Sequence, residues 1–222
     1  MNILLDKFDF NEEWAYERFK NIITPDHKIC VIPLAFHEEW IVNSEDWYKA
    51  YNCSDGKFYH KTVSPFYDFG ILDKNISLIN YFDDNYSDLT QKIDDSDIIL
   101  LTGGYPEKIM KRLNELKLTT VIENYDGIII GWSAGAMVQC RDYFISPDED
   151  YPSFQYETGL NFISDFALEV HYKEKESQLK SIEKYISERN KKVYVTRENS
   201  AIIFDKGKIE LLGNVCQYQN YD

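Results

Sequence analysis

"DGIIIGWSAGAMVQC", residues 126–140, holds the reading that decides the fold. After Asp126 its first half is a short, apolar, β-branched run, the composition of a strand buried on both faces. Its second half has helix-forming residues, so "AGAMVQCRD" (134–142) starts the next helix. Between them lie Gly131, Ala134, Gly135 and Ala136 around one serine, Ser133. A strand that turns sharply into a helix needs small residues there, because bulk would clash. Residues 131–135 match G-x-S-x-G. By itself that pattern fits a nucleophile elbow and an incidental serine in a tight turn about equally.

The pattern repeats outward from the elbow. "KICVIPLAF" (28–36), "ISLINYF" (76–82), "DIILLTGG" (97–104), "FALEVHY" (166–172) and "KVYVT" (192–196) read as strands. "NEEWAYERFKNII" (11–23), "WIVNSEDWYKAY" (40–51), "YSDLTQKIDD" (86–95), "PEKIMKRLNEL" (106–116) and "EKESQLKSIEKYISERN" (174–190) read as helices. Asn85 or Ser87 caps the third of these helices, and Pro106 opens the fourth. "SAIIFDKGKIELLG" (200–213) reads as a hairpin turning at "DKGK", and residues 52–74 give no clear pattern. Alternating apolar strands and helices predict an α/β fold, a mainly parallel sheet covered on both faces in three layers. The 222 residues suit a single α/β domain spanning 1–222. In such sheets function collects at the carboxyl ends of the strands, where both glycine loops fall.

Composition excludes several roles. The net charge is −14, which argues against nucleic acid and acidic membrane surfaces as partners. No segment approaches the ~20 apolar residues of a membrane span. "MNILLDKFDF" lacks a signal peptide's basic region and apolar core. Cys30, Cys53, Cys140 and Cys216 are widely spaced with no CxxC pair. They read as reduced thiols of a cytoplasmic protein, with neither a disulfide framework nor a zinc site, and Cys30 and Cys140 as core residues. The 17 Tyr and 13 Phe are read as packing. The pattern is silent on oligomeric state and on what residues 52–74 do, as lid or as interface.

A serine nucleophile needs a base. Of four histidines, His171 ends an apolar strand on the same side as the elbow, and His37 is the runner-up. The base needs an acid to hold its tautomer. Glu198 follows the next strand, and Asp148, Glu149, Asp150, Asp165 and Glu169 are its rivals.

"GWSAGA" resembles the G-x-S-A-G-A motif of the serine-peptidase family that includes dipeptidase E (aspartyl dipeptidase) and cyanophycinase. "IILLTGGYPEKIMKRL", "GLNFISDFALEVHY" and "VYVTRENSAIIFDKGKIELLG" resemble that family's flanking segments, so the likeness covers roughly residues 97–213. It implies a class I glutamine amidotransferase-like fold and a Ser–His–Glu triad of Ser133, His171 and Glu198. It implies short peptides as substrates, aspartyl dipeptides among them, and no cofactor or metal. The family's G-G-G-N loop is replaced here by "GGYP", residues 103–106. Proline has no N–H, so an oxyanion hole of Ala134 plus this loop must use Gly104 or Tyr105. Tyr105 is also placed to line the pocket. An acidic substrate needs a cation, for which Arg141, Lys173 and Arg197 are the candidates. An amidase or amidotransferase-like hydrolase, and a non-catalytic binding module, remain as alternative readings on the same fold.

Overall fold

The computed structural model describes residues 1–220. In chain order the elements are β1 (Asn2–Leu5), α1 (Tyr16–Phe19), β2 (Ile29–Ile32), α2 (Ser44–Tyr51), α3 (Tyr59–Tyr67), β3 (Ile76–Leu78) and α4 (Tyr86–Asp94). Then come β4 (Ile98–Leu101), α5 (Pro106–Glu115), α6 (Thr119–Glu123), β5 (Ile128–Trp132), α7 (Ala134–Met137), β6 (Asp142–Ile145) and β7 (Gln155–Thr158). The chain closes with β8 (Phe166–Glu169), α8 (Glu176–Arg189), β9 (Lys192–Asp205) and β10 (Lys208–Tyr218).

Eight strands form one sheet in the order β10-β9-β1-β5-β4-β2-β3, with β8 also paired to β9. Strands β1, β5, β4, β2 and β3 run parallel, as do β8 and β9; β9 meets β1 and β10 antiparallel. Alternate side chains of the central strands feed two separate cores. Cys30, Ile32, Ile99, Leu101 and Ile129 pack with Ile109, Leu113 and Ile122 on one face. Ile29, Val31, Ile98, Leu100 and Ile130 pack with Phe10, Phe19, Tyr59 and Phe66 on the other. This is why the strands read as unbroken apolar runs rather than alternating ones.

The central strands and α5 follow the sequence pattern, while several ends move. The helix expected over 11–23 shrinks to α1, although Phe19, Ile22 and Ile23 are buried as its periodicity requires. The strand expected over 76–82 shortens to β3, and Asn85 rather than Ser87 caps α4 with a reciprocal capping box. The helix after the elbow ends at Met137 and gives way to the hairpin β6–β7. The strand and hairpin expected after 192 are one long strand, β9, which turns into β10 through Lys206 and Gly207 at φ 49° and 79°. Two consecutive positive φ values suit the twist of a tight hairpin. Residues 52–74, unreadable in sequence, contain α3, whose Tyr59, Val63 and Phe66 enter the second core.

The N-terminal run "NILL" forms β1 at the centre of the sheet, between β5 and β9. Four apolar residues at a chain end carry too little periodicity to mark a strand. Its four residues are all buried, and it delivers the next residue, Asp6, to the edge where the elbow lies.

Candidate active site

Ser133 sits where β5 ends and α7 begins, with φ 51° and ψ −119°. A non-glycine residue holds that conformation only when its surroundings enforce it. Three close approaches do so. The Ser133 N–H donates to Leu5 O at 3.0 Å. A Cβ on Gly135 would lie 2.1 Å from Leu101 O, and one on Gly131 would lie 2.1 Å from Gly135 O. Strand β4, the elbow and α7 therefore pack backbone to backbone, and the small residues of GWSAGA are what permit it.

His171 lies two residues beyond β8, in a left-handed conformation at φ 52°. Its Nε2 is 2.9 Å from Ser133 Oγ. Its Nδ1 is 3.1 Å from Asp6 Oδ2, and its backbone N–H donates to Asp6 Oδ1 at 2.6 Å. Thr196 Oγ1 donates to the same carboxylate at 2.9 Å. Asp6 is 1% exposed, against 45% for the His171 side chain. Burial pushes the Asp6 carboxyl up, but the hydrogen bonds and charge of His171, helped by Thr196, hold it below its ordinary value. The ionised carboxylate only accepts, so it fixes the ring proton on Nδ1. That leaves Nε2 free to accept the Ser133 hydroxyl proton.

Glu198, the expected acid, is not the group at Nδ1. Its side chain is 74% exposed and pairs with Lys7. The reason is positional. β1 lies directly beside β5, so the residue after β1 meets the histidine from within the sheet, whereas Glu198 projects from β9 towards solvent. The rival acids are elsewhere too. Asp148 and Asp150 belong to the rim of the pocket, Asp165 accepts from the Ser164 hydroxyl, and Glu169 is buried against Ser146 and Gln178. Burial raises the Glu169 carboxyl to about 7. His37 accepts from the Glu39 N–H and packs edge-on against Tyr105.

In the glycine loop after β4 the Gly104 and Tyr105 N–H groups differ in what they meet. The Tyr105 N–H is spent on Ala35 O at 3.0 Å. Among the described residues the Gly104 and Ala134 N–H groups have no backbone acceptor. Gly104 has φ 137°, and a Cβ there would lie 2.4 Å from Ala35 O, so only glycine fits. Helix α7 has only four residues, so the local electropositive character comes from the two N–H groups themselves.

Two lobes open from Ser133 and His171. The smaller, about 480 Å³, is lined by Tyr105, Tyr151, Asp148, Asp150, Glu169 and Lys173, among others. The larger, about 810 Å³, runs towards α3 past Trp132, Phe8 and Phe58. Tyr105 lines both. Of the expected cations, Lys173 lines the smaller lobe, and Arg141 and Arg197 line neither. Arg197 instead lies over the Tyr172 ring and pairs with Glu174. Among the described residues no three His, Cys, Asp or Glu side chains gather as metal ligands would. All four cysteines are free, and burial pushes the Cys30 and Cys140 thiols up to about 12. No described helix is long and apolar enough to cross a membrane.

A mostly parallel sheet with helices on both faces, carrying a serine on a strained strand–helix turn against a histidine, has the framework of a serine-type hydrolase. The model of peptidase family S51 matches residues 11–212, and the chain belongs to that family, which makes it a serine-type peptidase. No curated protein is significantly similar to it. Two of the solved structures that share its fold show the extent of the likeness. One is described as a peptidase E protein from Listeria monocytogenes EGD-e, with 17% identity and a TM-score of 0.62, covering 99% of this chain and 98% of that one. The other is a peptidase from an acI-B1 Actinobacterium, with 17% identity and a TM-score of 0.60, covering 100% of this chain and 94% of that one.

Proposed function

We propose that the protein hydrolyses peptide bonds in short peptides through an acyl-enzyme on Ser133, with His171 as base and Asp6 as the acid that orients it. The observation that carries this reading is the chain of contacts Ser133 Oγ to His171 Nε2 at 2.9 Å and His171 Nδ1 to Asp6 Oδ2 at 3.1 Å. Nε2 takes the hydroxyl proton as Oγ attacks the scissile carbonyl carbon. The carbonyl oxygen gains the charge and accepts from the Gly104 and Ala134 N–H groups. His171, now charged and held by Asp6, gives its proton to the leaving amine as the C–N bond breaks. Water then attacks the ester by the same route and frees Ser133.

Buried Asp6 beside exposed His171 suits this cycle: the imidazolium formed midway meets a fixed negative charge shielded from water. The paired lobes suit a short peptide lying across Ser133, within the size range of small-ligand clefts.

The test is covalent labelling by a small alkyl fluorophosphonate, with mass spectrometry to locate the adduct. Labelling at Ser133, absent in Ser133→Ala and reduced at least ~10³-fold in His171→Ala, is the expected result. Labelling that persists in His171→Ala, or none between pH 6 and 9, counts against the mechanism. Turnover of a panel of dipeptides then reads the peptidase activity directly.

A further inference from the structure

The two lobes beside Ser133 differ in chemistry. Phe8, Phe36, Trp40, Phe58, Tyr105 and Trp132 all line the larger one, of which Trp40 and Tyr105 border the smaller one too. Phe36 is nearly buried, Trp40 is 65% exposed, and Phe8, Phe58, Tyr105 and Trp132 are half-buried, so aromatic surface is left uncovered around the cavity. The rings support one another: Phe8 stacks on Trp132 with centroids 4.5 Å apart and meets Phe66 edge-on at 5.8 Å. Trp132 directly precedes the serine, so the aromatic surface begins beside the reacting atom.

The charged groups around this lobe are unfavourable for an acidic ligand. Asp6, Asp9, Glu12 and Glu198 line it, against Lys7 and Lys61. Lys7 is already paired with Glu198. No arginine lines either lobe. A substrate carboxylate entering here would meet carboxylates and lose its hydration against aromatic rings.

We infer that the larger lobe is a specificity subsite for a large aromatic side chain of the substrate, next to the scissile bond, and that it discriminates against acidic side chains. The inference rests on Ser133 being the attacking group. Most of the wall comes from the first 70 residues, from the segment after β1, the segment after β2, and the α2–α3 connection that carries Phe58. Burying a benzyl group against such a wall is worth about tenfold to a hundredfold in selectivity.

Diphenyl 1-aminoalkylphosphonates test it, since the serine oxygen displaces phenoxide from phosphorus while the probe's side chain occupies a subsite. Probes carrying benzyl, carboxymethyl and aminobutyl groups are compared within one protein, which cancels differences in nucleophile reactivity. The benzyl probe is expected to inactivate at least about tenfold faster than either charged probe. Phe58→Ala, and separately Trp40→Ala at the exposed end of the lobe, should cut that ratio at least about threefold. Equal rates, a carboxymethyl preference or an aminobutyl preference each overturn the assignment.

If no probe reacts, the acyl-enzyme reading falls, and calorimetry on Ser133→Ala decides the subsite by itself. There L-phenylalaninamide should bind about tenfold tighter than L-lysinamide or the α-amide of L-aspartate. No binding, or no preference, overturns the inference.

Discussion

Asp6, the residue just after β1, and Glu198, on the adjoining strand β9, are two carboxylates that both line the larger lobe beside His171. Asp6 is 1% exposed and accepts from the His171 backbone, the His171 ring and Thr196. Glu198 is 74% exposed and has Lys7 as its partner. Orienting an imidazole requires a carboxylate whose own position is fixed and whose charge water does not screen. Asp6 meets both needs. Glu198, on a longer side chain in solvent and already neutralised by a lysine, meets neither.

The comparison can be broken by substitution. Asp6→Asn should have the largest effect, about 10³–10⁴-fold in the rate of Ser133 acylation, measured by stopped-flow or inactivation kinetics. The amide keeps the shape of the carboxylate but supplies a donor, which favours the wrong ring tautomer. Gly104→Ala should follow. The Cβ has no room against Ala35 O, so the loop and its N–H move, and kcat for a dipeptide should fall about 10²–10³-fold. Glu198→Gln should change acylation less than about threefold.

Titration sharpens the same contrast, since buried Asp6 and Glu169 flank His171 with opposite signs. The Asp6 carboxyl is held below its ordinary 3.8, so the stability it contributes is fully present above that pH and disappears as pH falls through its lower folded value. Urea unfolding of wild type and Asp6→Asn should therefore show a gap that is constant from pH 5 to 7 and narrows towards pH 3. Glu169 is raised from 4.5 to about 7 by burial, so it binds a proton more tightly folded than unfolded. Its charge costs stability as pH rises between those values. Glu169→Gln should gain on wild type between pH 5 and pH 8, by at most about 2–3 kcal/mol.

The serine half of the site was legible because its constraints are local. An elbow demands small residues within five positions, and GWSAGA displays them in a row. The strand ending near His171 is also visible in "FALEVHY". That the Tyr105 N–H is engaged, leaving Gly104 as the donor this loop can offer, needed the structure, because only there does Ala35 O claim the Tyr105 N–H. Asp6 was not legible. It follows an apolar run of four residues, too short for periodicity to distinguish a strand, and its contact with His171 spans 165 positions. The one available signal was the pattern "NILLD", an apolar run ending in an acid. Arg141 and Arg197 line neither lobe for a similar reason: closeness to the motif in sequence does not fix where a long side chain points. The aromatic content, read as packing, is largely that, yet the rings around the larger lobe are left partly uncovered.

The most direct test of the account compares fluorophosphonate labelling of Ser133 in Asp6→Asn and Glu198→Gln, side by side with wild type at pH 7.5 and with folding checked by circular dichroism. A loss of about 10³-fold or more in Asp6→Asn, with Glu198→Gln within about threefold of wild type, is the predicted result. The reverse order, with Glu198→Gln crippled and Asp6→Asn near wild type, would contradict the assignment of Asp6 and return the acid's role to Glu198.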